Sequence, residues 1–320
     1  MSIQAAQKAE QVLEAQYQDA VRQAIDKLDT AFIDVLEARQ TVRALRAGWA
    51  RLKTLEETIG DPAKKGRRPL EEIEAVSLER VNAELAIQRA EATLLQAHRA
   101  LALLLRVPAE QAASLQLFGS LHDRAAPPPC LEELMRIALQ ARPDLNAYRL
   151  GMNRAAADLR RERAEAIDNL FLFCTPLNAN DFSPLGKQSA YGWGLGLLLP
   201  VPLFDRNQGD IDRARVNVTQ THLERQDLER RIRNEVRYAA TEYAASREVV
   251  RQYEQDMLPG ADSLREEQSR LFVTGQTTLD SLLEARREHD EVVREYLEAL
   301  VYHRRAMRRL NIAVGQCILP

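Results

Sequence analysis

The side chains best suited to chemistry in this sequence are few and widely spaced. Five histidines, His98, His122, His222, His289 and His303, and three cysteines, Cys130, Cys174 and Cys317, supply the obvious metal ligands and nucleophiles. A metal centre needs ligands brought together by short regular spacings, a CxxC turn or paired histidines on one helix face, and none occurs. The histidines therefore read as ordinary surface positions on helices, and no metal site is expected. An odd, scattered cysteine set also excludes a disulfide framework. No motif gathers a serine, a histidine and an aspartate, so catalysis has no visible carrier and no cofactor is implied. Gly192, Gly194 and Gly196 do not form a phosphate loop, because strand, glycines and helix N-terminus fall in the wrong order.

What those glycines do instead is a matter of solvation. In YGWGLGLLL, alternation along a strand puts Tyr191, Trp193, Leu195, Leu197 and Leu199 on one face and Gly192, Gly194, Gly196 and Leu198 on the other. A strand of a membrane barrel turns its apolar row to lipid and can crowd glycine inward, whereas a half-buried soluble strand turns a polar row outward. Tyr191 and Trp193 then lie near one membrane interface, where amphipathic rings settle. A buried hairpin in a helical protein would carry the same pattern, and the strand alone does not separate the two.

The elements that must hold this segment are helices. The chain has 320 residues, 28% charged and only 5% aromatic, with a net charge of -3. Basic and acidic residues are interleaved without a cationic stripe, which excludes a nucleic-acid role. No apolar run approaches the roughly 18 residues of a membrane-spanning helix, and the first twenty residues lack a signal-peptide core. Apolar spacing predicts helices over about 2–59, 70–105, 131–140 and 143–166, then from 207 to 313 with an interruption at Pro259-Gly260 and a turn at Val273 to Gln276. Strands are predicted over about 169–177 and 191–199, joined by the polar loop NANDFSPLGKQSA.

Helix lengths agree between the two directions of the chain. Residues 66–107 and 143–168 together rise about 100 Å, and 203–275 about 108 Å, at roughly 1.5 Å per residue. Such long charged helices suggest lateral packing into a cylinder wall rather than one globular core. The segment from Gly66, GRRPLEEIEAVSLERV, also parallels that from Gly275, GQTTLDSLLEARREHD, so two related helical hairpins are present.

Three stretches, ALQARPDLNAYRLGMNRAAADLRRERAEA, LLLPVPLFDRNQGDIDRARVNV and FVTGQTTLDSLLEARREHDEVVREYLEALVYHRRAMRRLNIAVG, resemble in content and spacing the TolC-like outer-membrane efflux proteins. The resemblance implies a mainly α fold, with long antiparallel helical hairpins forming part of an α-barrel and one transmembrane β-hairpin. It divides the chain into a first periplasmic helical hairpin (1–106), an equatorial region (107–142), a helix leading to the membrane (143–168), the transmembrane hairpin (169–203), a second periplasmic hairpin (204–315) and a tail (316–320). It implies a homotrimer in outer-membrane lipid, extending into the periplasm. That trimer would be a passive conduit for small molecules or metal ions received from an inner-membrane efflux pump through a periplasmic adaptor. Family members carry a signal sequence and a further membrane hairpin, so an N-terminal part is expected to precede this chain. The alternative function is a soluble coiled-coil scaffold or adaptor protein without channel activity.

The same resemblance places the site residues. Acidic residues three apart after the tip glycine line the periplasmic aperture in the family. Here Glu284 takes the second acidic position, Ser281 stands at the first, and Asp280 is its neighbour. Val273, Thr274 and Gly275 match the tip segment that adaptors engage. At the first tip, Arg67, Arg68 and Pro69 depart from that pattern.

Overall fold

The computed structural model describes residues 2–64, 69–122, 127–166, 171–181, 188–198 and 206–319. Helices dominate: α1 (Ser2–Lys64), α2 (Leu70–Leu104), α3 (Leu131–Ala141), α4 (Pro143–Glu165), α5 (Gln208–Gln252), α6 (Leu258–Val273) and α7 (Leu279–Val314). A 3-10 turn covers Ala109–Ser114, and one antiparallel pair, β1 (Phe171–Asp181) and β2 (Gln188–Leu198), completes the described elements. The chain divides into two compact units, residues 1–17 with 143–230 and residues 18–142 with 231–320.

Helix boundaries follow local chemistry. Extended Pro69 precedes α2, whose first turn carries Glu71 and Glu72 at the positive end of the helix dipole. Pro143 opens α4, and the Asp144 carboxylate accepts the Leu145 amide at 2.8 Å. At the end of α6 the chain turns left-handed at Gly275 (φ 73°), the Gln276 amide reaching back to the Leu271 carbonyl at 2.8 Å and the Gly275 amide to that of Phe272 at 3.1 Å. Thr278 then caps α7 by accepting the Ser281 amide at 3.3 Å.

The expected interruption at Pro259-Gly260 is not a break. A π-helical turn at Tyr253–Met257 joins α5 to α6, with the Leu258 amide bonded to the Tyr253 carbonyl five residues back. Proline lacks an amide hydrogen and crowds the carbonyl four residues before it; one wider turn relieves both problems while the helix runs on.

In the larger unit, Ile59 of α1, Val76 of α2, Phe272 of α6 and Leu279, Leu282 and Leu283 of α7 form one buried cluster where the two helical hairpins turn. Further along, Ile33 and Leu36 of α1 meet Val250 of α5, Leu300 and Val301 of α7, and Leu121. In the smaller unit the strands pair in the register Phe171 to Leu198, Phe173 to Gly196, Cys174 to Leu195 and Pro176 to Trp193.

Candidate functional site

The turn from α6 to α7 presents polar groups around an apolar base. Leu279, Leu282 and Leu283 point into the core, which leaves the opposite side of the first α7 turns to solvent. Asp280 and Glu284 are both exposed there, one turn apart on one face. Neither makes an ion pair with another described residue. Ser281 is half-buried, its hydroxyl 3.1 Å from that of Thr278 in the helix cap. Past Glu284 the same stripe continues through Arg287, which pairs with Glu79 of α2, and Arg294, bridged to Glu291 and Glu298. The tip itself is open: Val273 is 74% exposed, and the Thr274 hydroxyl bonds the Leu271 carbonyl at 3.0 Å. Arg67 and Arg68, the departures at the first tip, lie outside the described residues.

The β-hairpin leaves its apolar row uncovered. Trp193 is 72% exposed, and Leu195 and Leu197 are each 62% exposed. Pairing adds Leu172, Cys174 and Pro176 of β1 to that face. The side chain of Tyr191, and Leu199 entirely, lie outside the described residues. The glycine face is less bare than β2 alone suggests, because the register brings Phe171 and Phe173 onto it. A Cβ on Gly196 would stand 2.3 Å from Cζ of Phe173, so that ring occupies the space a side chain would need. One glycine of the alternation is thus explained by a cross-strand aromatic lying over it.

The histidines depart from their expected surface setting in two cases. His303 is 1% exposed, its Nδ1 at 2.9 Å from Ser246 Oγ, which donates to the Tyr243 carbonyl at 3.0 Å. This enclosed serine and histidine pair is a polar tie between α5 and α7. His289 is also buried, between carboxylates of α6 and α7. Neither position is signalled by its own helix's periodicity, since each burying contact comes from another helix, α5 for His303 and α6 for His289. Elsewhere, burial and a hydrogen bond to Glu254 push the Tyr296 hydroxyl well above the usual tyrosine range. No group of three or more histidine, cysteine, aspartate or glutamate side chains is placed to hold a metal among the described residues.

Two long helical hairpins joined to one short, exposed apolar β-hairpin define a class: the chain has the fold of the TolC-like outer-membrane efflux channels. The Campylobacter jejuni CmeC outer membrane channel superposes with a TM-score of 0.76 at 14% identity, covering 99% of this chain and 67% of that one. The Vibrio cholerae outer membrane protein VceC superposes with a TM-score of 0.73 at 15% identity, covering 98% of this chain and 74% of that one. In sequence, the chain is 24% identical over 307 residues to the cobalt-zinc-cadmium resistance protein CzcC of Cupriavidus metallidurans, spanning 96% of this chain and 67% of that protein. No protein-family model matches the sequence.

Proposed function

We propose that this chain is an outer-membrane channel subunit of a tripartite efflux system, a passive conduit for small molecules or metal ions delivered by an inner-membrane pump. The observation that carries the reading is the hairpin face of Trp193, Leu195 and Leu197, left open to its surroundings on a fold otherwise shared with solved efflux channels. In water such a row would be a liability; in lipid it is the expected outer surface of a barrel wall. A soluble scaffold would have covered it with its own helices.

On this reading residues 169–203 are the transmembrane hairpin, 1–106 and 204–315 the periplasmic helical hairpins, 143–168 the helix leading to the membrane, 107–142 the equatorial region and 316–320 the tail. Asp280, Ser281 and Glu284 line the periplasmic aperture, the two carboxylates carrying its charge. Val273, Thr274 and Gly275 form the surface for a periplasmic adaptor. Tyr191, Trp193, Leu195, Leu197 and Leu199 face lipid. The subunits associate as a homotrimer, for which the exposed row Leu78, Val81, Leu85 and Leu95 on α2 supplies an apolar seam at helical spacing.

The sequence holds two tryptophans, so replacing Trp49 with Phe leaves Trp193 as the sole reporter. In liposomes its emission is expected to shift to the blue and to be quenched by lipids brominated within the acyl chains. Emission unchanged by vesicles, from a protein that stays in the aqueous fraction, would overturn the reading.

A further inference from the structure

Asn311 stands where helical periodicity calls for an apolar side chain. The last turns of α7 bury Met307, Leu310, Ala313 and Val314, and Asn311, only 4% exposed, belongs to the same stripe. A carboxamide there has two N–H groups and two oxygen lone pairs to satisfy, and each costs free energy if left without a partner. Among the described residues, the bonds of this side chain all go to one short segment just beyond the helix. Its Oδ1 accepts the amides of Ile318 and Leu319, both at 2.9 Å. Its Nδ2 donates to the Leu319 carbonyl at 2.6 Å and approaches Cys317 Sγ at 3.9 Å. The Cys317 thiol in turn donates to that same carbonyl at 3.4 Å. Two amides on one side and a carbonyl on the other leave the carboxamide a single orientation.

The segment has one further anchor, the side chain of Leu319, which is 1% exposed. Residues 316–319 form neither helix nor strand, so no ladder of backbone bonds holds them. The end of α7 does not depend on them either. Gly315 turns left-handed and returns its amide to the Asn311 and Ile312 carbonyls at 2.9 and 3.1 Å. Arg22 of α1 donates to the Ile312 carbonyl at 3.1 Å, and Arg142 to that of Ala313 at 3.2 Å. The terminal carbonyls that a helix leaves open are thus taken by groups outside the segment.

We propose that Asn311 and the enclosure around Leu319 form a docking notch for an extended peptide, filled here by the chain's own residues 317–319. The notch recognises two consecutive amides, the carbonyl that follows them and one leucine side chain. Main-chain polarity supplies the hold and the apolar side chain the selectivity, as in other modes of extended-peptide capture. With two anchors and a short tether, the segment is released locally while α7 stays folded. The same segment supplied in trans competes with it only against the roughly millimolar effective concentration that a short tether gives. None of this depends on the channel reading.

Hydrogen exchange of the detergent-solubilised chain tests the notch. The amides of Ile318 and Leu319 are expected to be protected in the unaltered protein. Asn311→Leu suits the buried stripe but offers the segment nothing, and should lower the protection of both amides at least about tenfold, the effect of losing two hydrogen bonds of ordinary strength. Residues 300–310 of α7 should keep their protection. Leu319→Asp, which removes the other anchor and leaves the carboxamide intact, should free the same two amides. A labelled peptide of residues 315–319, GQCIL, blocked at both ends and titrated to about 1 mM, should bind the Leu319→Asp chain at least about tenfold more tightly than the unaltered chain, whose notch is filled. Adding Asn311→Leu should abolish that binding. Protection of Ile318 and Leu319 that survives either substitution, loosening of α7 together with the segment in Asn311→Leu, or peptide binding equal in or absent from all three chains would overturn the proposal.

Discussion

Single residues in this protein are fixed by backbone geometry and close approach more than by chemistry. Gly315 ends α7 in the left-handed region (φ 77°), where a Cβ would also stand 2.9 Å from Cγ of Arg142. Arg142 is buried, reaching Glu235 at 2.5 Å and the Ala313 carbonyl at 3.2 Å, so it has little freedom to withdraw. Gly315→Ala is expected to cost at least about 1 to 2 kcal/mol, the penalty of a left-handed non-glycine residue, read as a fall in the chemical denaturation midpoint. Gly196 differs because its constraint is one movable ring. Gly196→Ala should raise hydrogen exchange in β2, and Phe173→Ala in the same chain should reverse that change by vacating the space.

At the level of elements, the turn ends of the two helical hairpins are held by a small apolar cluster rather than by their many ion pairs. Most of those pairs are exposed, where each contributes about 0 to 1 kcal/mol. Leu282 is 2% exposed and packs in the cluster that α1, α2, α6 and α7 share. Leu282→Ala should destabilise the protein by about 2 to 5 kcal/mol, as expected for a buried leucine truncation, with exchange rising first around 272–285. Removing the exposed cap by Thr278→Ala should cost about 1 kcal/mol and leave the acidic row Asp280 and Glu284 in place. The π turn before Pro259 belongs to the same scale: a helix absorbs a proline by widening one turn, and the tip beyond it stays helical.

At the scale of the whole molecule, large apolar side chains stand exposed on α2 as well as on the hairpin. Leu78 is 63% exposed and Leu85 is 46% exposed on α2, in addition to the open hairpin row. Replacing both by Glu should abolish self-association of the detergent-solubilised protein, measured as particle mass, while far-ultraviolet circular dichroism keeps its helical form. An unchanged mass would remove this seam from the proposed trimer interface.

The long helices, their turns at Gly275 and before Pro143, and the alternation along β2 were all legible in the sequence. Each is written in short-range periodicity, in turn residues and in caps, which act between residues close in the chain. Fold class followed, because two similar hairpins flanking one apolar strand pair leave few arrangements. Pairing of Phe173 with Gly196, burial of His289 and His303, the Ser246 contact and the cap role of Ser281 were decided only in three dimensions. The first four depend on which residues of separate elements face one another; periodicity says which side of an element is buried but not against what. The cap depends on the turn taken at Gly275, which sets where α7 begins and so which side chains of its first turns stay exposed.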